Sequence, residues 1–284
     1  MKSISGMELA RERWSENLRK IKPEIKSLYY KGKIDLLLDE SPKLAIVGSR
    51  RMTEYGQRVI EKWMPMLVER GVTIVSGFMY GVDQTAHQTC IENGGKTIAV
   101  LGWGIDWPVS REDEDLYQKI LENNGLMVSE YEGETAPLLW FFPQRNRIVA
   151  GISDAVLVVE GSTKSGSMIT ARLANRFGKK LLALPGQVTS RVAEGTNGLI
   201  RDGKAKAVTT AEEVLKEMGL LPGQLKLKIE DIDDPMLSLL ADGERSVDEL
   251  SRLLKINVSQ VLGKLTELTL CGMVTEAGGK YRAV

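Results

Sequence analysis

The sequence predicts an α/β fold: a Rossmann-like, mostly parallel sheet with helices on both faces, plus a small C-terminal winged-helix domain. First, short apolar runs alternate with helix-length amphipathic stretches from residue 43 onward. Second, these runs are continuously apolar rather than strictly alternating, as in strands that are covered on both faces. Third, residues 235–284 change to three short helical patterns followed by a hairpin pattern, which together are typical of a winged helix.

Seven apolar runs are the candidate strands of the sheet. They lie at residues 44–47, 72–75, 97–101, 126–128, 155–159, 180–184 and, more weakly, 205–208. The candidate helices between them lie at residues 56–70, 82–93, 112–124, 166–177 and 211–218. Pro65 predicts a kink or a division of the first helix. Such strand–helix alternation implies right-handed crossovers and a parallel sheet.

These patterns divide the chain into four segments. We expect an N-terminal extension over 1–42, the Rossmann-like domain over 43–219, a linker over 220–234 and the winged-helix domain over 235–284. Within the last segment, Ser246 with Glu249 and Asn257 with Gln260 form capping patterns that predict two helix N-termini.

The charge balance limits the possible partners. The chain of 284 residues carries 38 Lys plus Arg and 38 Asp plus Glu, which excludes binding to nucleic acid through bulk positive charge. The charges are nevertheless sorted along the chain. Residues 140–210 contain 11 basic and 4 acidic side chains, whereas residues 101–135 contain 2 and 9.

Targeting and redox features predict a cytoplasmic protein. The N-terminus has no apolar signal-peptide region, and no apolar run is long enough to span a membrane. Two distant cysteines and one histidine exclude a disulfide framework and argue against a metal site. We expect no metal and no cofactor.

Small residues and cations follow four of the predicted strands. The segments are Gly48-Ser49-Arg50, Ser76-Gly77, Gly102-Trp103-Gly104 and residues 161–167, with the sequence Gly-Ser-Thr-Lys-Ser-Gly-Ser. The carboxyl ends of parallel strands meet at one edge, where helix N-termini favour an anion such as phosphate. The candidate cations are Arg50, Arg145, Arg147 and Lys164. One glycine after a strand is ordinarily only a turn, so the prediction depends on four such ends in one sheet.

The segment at 140–147, Trp-Phe-Phe-Pro-Gln-Arg-Asn-Arg, combines aromatic and cationic side chains. Such a combination suits single-stranded nucleic acid, whose bases stack on rings and whose phosphates contact guanidinium groups. The alternative is that Trp140 and Phe141 belong to the core. The chain has no P-loop and no dinucleotide-binding glycine pattern, and its single histidine, His87, lies in the middle of a predicted helix. We therefore expect no catalytic residues.

These segments resemble the DNA-processing protein A family, over about residues 25–284. The motifs include LAIVGSR at 44–50, FPQRNRI at 142–148, SGSMIT at 165–170 and EGTNGLI at 194–200. The resemblance implies a non-enzymatic, single-stranded DNA-binding recombination mediator that loads a RecA-class recombinase, counters single-strand binding protein, supports natural transformation and forms a homodimer. The implied DNA-binding residues are Gly48, Ser49, Arg50, Ser76, Gly77, Phe142, Arg145, Asn146, Arg147, Lys164, Ser165, Gly166, Ser167 and Thr170.

The sequence departs from the family pattern at several points. Residues 78–80, Phe-Met-Tyr, stand where the family usually has a small residue and an arginine, so one basic contact is expected to be missing. Trp107 replaces the usual tyrosine before Pro108, and we expect no helical domain before residue 25.

Three further alternatives concern the binding partners. The crevice could hold a mononucleotide as a sensor. It could also act as a phosphoribohydrolase-like enzyme, although Thr170 occupies the position of that family's catalytic glutamate. Residues 211–284 carry 9 basic and 13 acidic side chains, which fits duplex DNA poorly and favours a protein-contact role for the winged helix.

Overall fold

A computed structural model describes residues 6–220, 235–270 and 274–283. The chain forms two compact units, which comprise residues 1–218 and 219–284. The predicted linker over 220–234, apart from Leu220, lies outside the described residues. Within the described ranges, no helix is both long enough and apolar enough to cross a membrane.

The first unit is built on a nine-stranded, mostly parallel sheet, as predicted. Its strands are β1 (Met7–Glu8), β2 (Tyr29–Gly32), β3 (Lys43–Val47), β4 (Thr73–Ser76), β5 (Thr97–Leu101), β6 (Leu126–Ser129), β7 (Ala155–Val158), β8 (Lys180–Ala183) and β9 (Lys206–Ala207). The spatial order is β1-β2-β6-β5-β4-β3-β7-β8-β9. In this spatial order, every neighbouring pair of strands from β6 through to β9 is parallel. Strand β2 runs antiparallel to both β1 and β6.

Nine α-helices are described in this unit. They are α1 (Glu16–Lys20), α2 (Asp35–Leu38), α3 (Glu54–Glu69), α4 (Val82–Glu92), α5 (Arg111–Glu122), α6 (Phe141–Ile152), α7 (Ser167–Arg176), α8 (Glu194–Arg201) and α9 (Ala211–Met218). The five predicted helices correspond to α3, α4, α5, α7 and α9, with ends that differ by at most two residues. Pro65 lies inside α3 without dividing it. The sequence patterns did not predict α6 or α8.

Both faces of the central strand β5 are buried, because its alternate residues enter different apolar clusters. Ile98 and Val100 of β5 pack in one cluster with Ile148 of α6 and Ala171 of α7. Ala99 and Leu101 of the same strand pack in another cluster with Leu116 and Ile120 of α5. This two-sided burial explains why the strands read as continuous apolar runs.

The segment at 1–42, for which no strand was predicted, contributes to the sheet and its core. Strand β2 pairs with β6, the last strand of the parallel part of the sheet, with Tyr29 opposite Ser129. Ile21 and Leu28 are fully buried in the same cluster as α6. Ile21 lies so close to Gly151 of α6 that a Cβ there would be 2.4 Å from the isoleucine side chain.

The second unit contains three helices and a three-stranded antiparallel sheet. They are α10 (Pro235–Ala241), β10 (Arg245–Ser246), α11 (Val247–Leu254), α12 (Val258–Leu270), β11 (Val274–Ala277) and β12 (Lys280–Ala283). The strand order is β10-β12-β11. Ser246 and Glu249 form a complete capping box at the start of α11. The helices and the hairpin lie at the predicted positions, and the assignment to the winged-helix class stays a prediction.

Candidate anion-binding pocket at the carboxyl edge of the sheet

A pocket of about 610 Å³ lies at the carboxyl ends of β3, β4 and β7. Gly48 follows β3, Gly77 follows β4 and Ser162 lies beyond β7, and all three line it. From β3, the strands β4, β5 and β6 follow one another outward on one side of the sheet. Strand β7 lies on the other side of β3 and is followed outward by β8 and β9. The pocket therefore occupies the topological switch point, where open α/β sheets bind their ligands.

The pocket brings together most of the residues that the sequence singled out. Eleven of the fourteen line it: Gly48, Ser49, Arg50, Gly77, Phe142, Arg145, Asn146, Ser165, Gly166, Ser167 and Thr170. Ser76, Arg147 and Lys164 do not belong to the lining. Three of the four predicted strand ends, those of β3, β4 and β7, thus meet at the pocket. The Gly102–Gly104 segment after β5 lies outside the lining.

The N-terminus of α7 forms one wall of the pocket. The Ser165 and Ser167 hydroxyls lie 2.8 Å apart, and the side-chain amide of Asn146 donates to the Gly166 carbonyl at 3.3 Å. This bond ties the start of α7 to α6. The wall therefore presents hydroxyl groups and the positive end of a ten-residue helix dipole to the pocket.

The opposite wall carries an arginine on an aromatic ring. The Arg50 guanidinium carbon lies 5.6 Å from the centre of the Phe142 ring, in cation–π geometry. Phe142 packs edge-on against Trp103, with ring centres 6.2 Å apart. A Cβ at Gly102 would lie 2.9 Å from the Phe142 ring. The glycine after β5 thus has a role in packing the ring beneath Arg50.

Arg145 forms the floor of the pocket and is only 3% exposed. Its guanidinium donates to the carbonyls of Gly77 and Val100. Burial lowers the pKa of Arg145 to about 10, while the nearby Asp83 carboxylate favours the charged form. Both bonds come from Nη1, and Nε is buried without a hydrogen-bond partner among the described residues. Because so little of the side chain is exposed, Arg145 contributes charge beneath a ligand more than an open contact to it.

Asp83 of α4 also lines the pocket, and it organises the loop after β4. Its carboxylate lies against Ser76 and accepts hydrogen bonds from the backbone amides of Gly77 and Met79. Burial raises the pKa of the Asp83 carboxyl, whereas the Arg145 guanidinium and these hydrogen bonds oppose the rise. The carboxylate is therefore occupied by the protein itself.

The three predicted residues outside the lining have other surroundings. The Ser76 hydroxyl is buried and donates to the Ile46 carbonyl at 2.6 Å. Arg147 is 2% exposed, forms an ion pair with Glu130 at 2.5 Å and donates to the Pro23 carbonyl at 2.8 Å. Lys164 is exposed in the turn before Ser165. The Arg147 guanidinium is thus engaged within the fold, and its supporting role in DNA binding stays a prediction.

Sequence reasoning missed two cations of the pocket, Arg51 and Arg191. Arg51 directly follows the predicted Gly48-Ser49-Arg50 segment. Arg191 lies in a short 3₁₀ turn between β8 and α8. Extending the search for strand ends to β8 would have found it, since its loop also leaves the carboxyl edge.

Arg50, Arg51 and Arg191 are the exposed cations of the lining. None of their guanidinium groups forms an ion pair with a carboxylate of the described residues. Together with the start of α7, they give a site that suits an anion with several oxygens, because guanidinium groups recognise phosphate through paired donors.

The aromatic residues before Phe142 divide between surface and core. Phe141 is 5% exposed and stacks on Tyr131 with ring centres 3.7 Å apart, whereas Trp140 is 59% exposed. The core alternative is thus correct for Phe141 and wrong for Trp140.

His87 lies away from the pocket lining, in the core beneath it. Its Nδ1 is 2.6 Å from the Thr97 hydroxyl, and burial lowers the pKa of its imidazole to about 3. Phe78 packs beside it, is 2% exposed and has a φ of 61°. The aromatic departure at Phe78 therefore fills the core, while Met79 lines the pocket.

In the second unit, the residues of helix α12 that are described as exposed are all uncharged, and its Lys264 is half-buried. These exposed residues are Val258, Ser259, Gln260, Leu262, Gly263, Thr266 and Thr269. A helix that enters the major groove ordinarily contacts phosphates and base edges through cationic or amide side chains. Gln260 is the single amide in this set.

Comparisons with known proteins identify the family of the chain. The family model for DNA recombination-mediator protein A matches residues 7–219. The chain belongs to this family. It is 37% identical over 267 residues to Protein Smf of Escherichia coli K12, covering 90% of this chain and 71% of that protein. It is 42% identical over 190 residues to DNA processing protein DprA of Streptococcus pneumoniae R6, covering 67% and 66%.

Two solved structures of family members share the fold. DNA processing protein A from Streptococcus pneumoniae has a TM-score of 0.69 at 36% identity, covering 76% of this chain and 75% of that one. DNA processing protein A from Helicobacter pylori, studied for its single-stranded DNA binding mode, has a TM-score of 0.67 at 31% identity, covering 75% and 95%. The resemblance in the sequence motifs is confirmed.

Proposed function

We propose that the carboxyl-edge pocket binds the backbone of single-stranded DNA and that the protein is a non-catalytic recombination mediator. The observation that carries the proposal is the group of exposed arginines, Arg50, Arg51 and Arg191, around the N-terminus of α7. Membership of the DNA recombination-mediator protein A family and the DNA-binding title of the Helicobacter pylori structure support it.

The same walls suit a strand of unpaired nucleotides. Phosphates fit the guanidinium groups and the helix dipole. The Phe142 ring, with the Arg50 guanidinium 5.6 Å from its centre, supplies the aromatic surface that unpaired bases require.

A direct test is a mobility-shift titration of the full chain with oligo-dT and with duplex DNA of equal length at stated salt. We expect preference for oligo-dT, and we expect Arg50→Ala to weaken it by roughly 10- to 100-fold, the loss of one charge-assisted contact. Equal affinity of the variant and the unaltered protein for oligo-dT would contradict the proposal.

A mononucleotide sensor would use the same phosphate-binding walls. A thermal-shift titration that compares mononucleotides with oligo-dT separates the two functions. The DNA-binding proposal expects greater stabilisation by oligo-dT at equal nucleotide concentration. Preference for a mononucleotide would favour the sensor.

We propose that the pocket has no hydrolytic role. Thr170 occupies the position of a phosphoribohydrolase's glutamate, and the Asp83 carboxylate is engaged by the backbone amides of Gly77 and Met79. Incubation with nucleoside monophosphates should release no free base. Base release that Asp83→Asn abolishes would contradict this part of the proposal.

At the cellular level, we propose that the protein is cytoplasmic and loads a RecA-class recombinase onto DNA coated with single-strand binding protein during natural transformation. The test is recombinase-dependent strand exchange on coated DNA. We expect stimulation by the unaltered protein and little by Arg50→Ala. A homodimer is the expected assembly, to be checked by analytical ultracentrifugation.

We infer a protein-contact role for the second unit rather than duplex binding, because the residues of α12 that are described as exposed are uncharged. We expect Gln260→Ala to leave duplex binding of the full chain unchanged in the same titration.

A further inference from the structure

Five consecutive uncharged residues beside the pocket are all exposed. They are residues 136–140, Ala-Pro-Leu-Leu-Trp, which we term the apolar ledge. Leu139 is 91% exposed and Trp140 is 59% exposed. Exposed apolar residues in one continuous run ordinarily mark a surface that contacts a ligand or a partner.

The ledge is anchored at both ends. At its start, Thr135 accepts a backbone hydrogen bond from Gly104 at 2.8 Å. At its end, the Phe141 amide donates to the Leu138 carbonyl at 2.9 Å. Trp140 packs edge-on against Phe141, with ring centres 4.3 Å apart, and Phe141 stacks on Tyr131. The indole is thus held by one buried aromatic neighbour, Phe141, so little ordering is needed before it binds.

The ledge continues directly from the pocket. Leu139 lines the pocket, and so does Phe142, two residues after Trp140. A strand that leaves the pocket on this side therefore passes over Trp140.

The charges around the ledge favour bases over phosphates. No residue of the ledge is cationic, and exposed Glu132 and Glu134 precede it. Phosphates would be repelled there, whereas the face of a nucleobase can stack on an indole without regard to its identity. The cations that suit phosphates lie in the pocket itself, at Arg50, Arg51 and Arg191.

We propose that Trp140 is a second base-binding position, on which the nucleobase next to the pocket stacks. The proposal rests on the proposed function, since it extends the path of the same single strand. It assigns to the ledge an unpaired nucleobase of any type and no phosphate contact.

The test compares Trp140→Ala with the conservative variant Trp140→Phe in the full chain. Trp140→Ala should weaken oligo-dT binding by roughly 5- to 150-fold, the range for one stacked base. Trp140→Phe should retain most of the affinity. The dependence of affinity on salt should stay the same in both variants, because no phosphate contact is lost.

An oligomer of abasic deoxyribose-phosphate distinguishes stacking from a general effect. It should bind Trp140→Ala and the unaltered protein equally. Unchanged oligo-dT affinity in Trp140→Ala, or an equal loss on the abasic oligomer, would overturn the proposal. So would an altered oligomeric state of Trp140→Ala with intact DNA affinity, which would indicate a protein interface.

Failure of the proposed function gives a different result. In that case the unaltered protein would not bind oligo-dT, and Arg50→Ala would have nothing to weaken. Binding that depends on Arg50 but not on Trp140 would leave the proposed function intact and refute only the stacking position.

Discussion

The two edges of the central sheet each carry a cavity, and the two cavities differ in how their charges are used. The pocket at the carboxyl edge is about 610 Å³ in volume. The cavity at the amino edge is about 360 Å³ in volume and is lined by acidic residues such as Glu16, Asp39 and Asp154. Its one lining cation is Lys43, which is 5% exposed.

Lys43 is engaged within the fold. Its ammonium contacts the Asp39 carboxylate at 3.1 Å and the carbonyls of Asp39 and Ser41 at 2.7 and 3.0 Å. At the carboxyl edge, Arg50, Arg51 and Arg191 are exposed and have no carboxylate partner among the described residues. The position and the partners of a cation therefore distinguish an anion-binding edge from a structural one. The presence of a cation in a cavity does not.

The largest expected effect is a loss of stability on removal of Arg147, a buried charge that lies outside the lining of the carboxyl-edge pocket. Arg147→Met removes one partner of a buried ion pair and leaves Glu130 without its counter-charge. We expect the free energy of unfolding to fall by about 3–5 kcal/mol in urea denaturation. The folded variant should bind oligo-dT as the unaltered protein does. Weaker DNA binding with unchanged stability would place Arg147 in the binding site.

The next prediction tests how closely the loop after β4 must approach the pocket floor. A Cβ at Gly77 would lie 2.6 Å from the Arg145 guanidinium carbon. Gly77→Ala should therefore cost about 1–3 kcal/mol of unfolding free energy, because Arg145 must move. Gly166→Ala is the control in the same pocket, since no atom lies within 4 Å of its added Cβ. Equal stability of the two variants would contradict the tight floor.

The smallest of these effects concerns His87, which lies in the core beneath the carboxyl-edge pocket. The lining of the amino-edge cavity contains no histidine. Burial lowers the pKa of His87 from 6.5 to about 3, so below pH 6.5 the unfolded chain takes up a proton that the folded chain excludes. Stability should fall by about 1.4 kcal/mol between pH 7.5 and pH 5.5. His87 is the only histidine in the chain, so His87→Gln should remove this dependence. A pH dependence that persists in that variant would assign it to other groups.

The parallel sheet could be predicted because its strands are apolar on both faces. Strand β5 was predicted with its observed bounds, and the patterns also placed α9. By contrast, β2 is Tyr-Tyr-Lys-Gly beside the edge strand β1, and it is only partly buried, so it needs no continuous apolar run. Helix α6 begins with Phe-Phe-Pro-Gln, whose proline in the first turn fits a helix start but hides the helical period.

The site was predicted as a set of strand ends, and that reasoning has a physical limit. Parallel strands bring their carboxyl ends together, which is why Gly48, Gly77 and Ser165 share one pocket. Sequence alone does not determine which arginines are free. Arg145, Arg147 and Arg191 have the same chemistry, yet the first bonds to buried carbonyls, the second to Glu130, and the third lies exposed.

The most direct test of the central claim is the salt dependence of oligo-dT binding in two variants of equal charge. One is Arg50→Ala with Arg191→Ala at the carboxyl edge. The other is Lys20→Ala with Lys179→Ala, two cations near Asp154 and Glu16 at the amino edge. The slope of log affinity against log salt should decrease by about 1.4 in the first, for two lost phosphate contacts, and stay unchanged in the second. Equal slopes in the two variants would contradict a DNA-binding carboxyl edge.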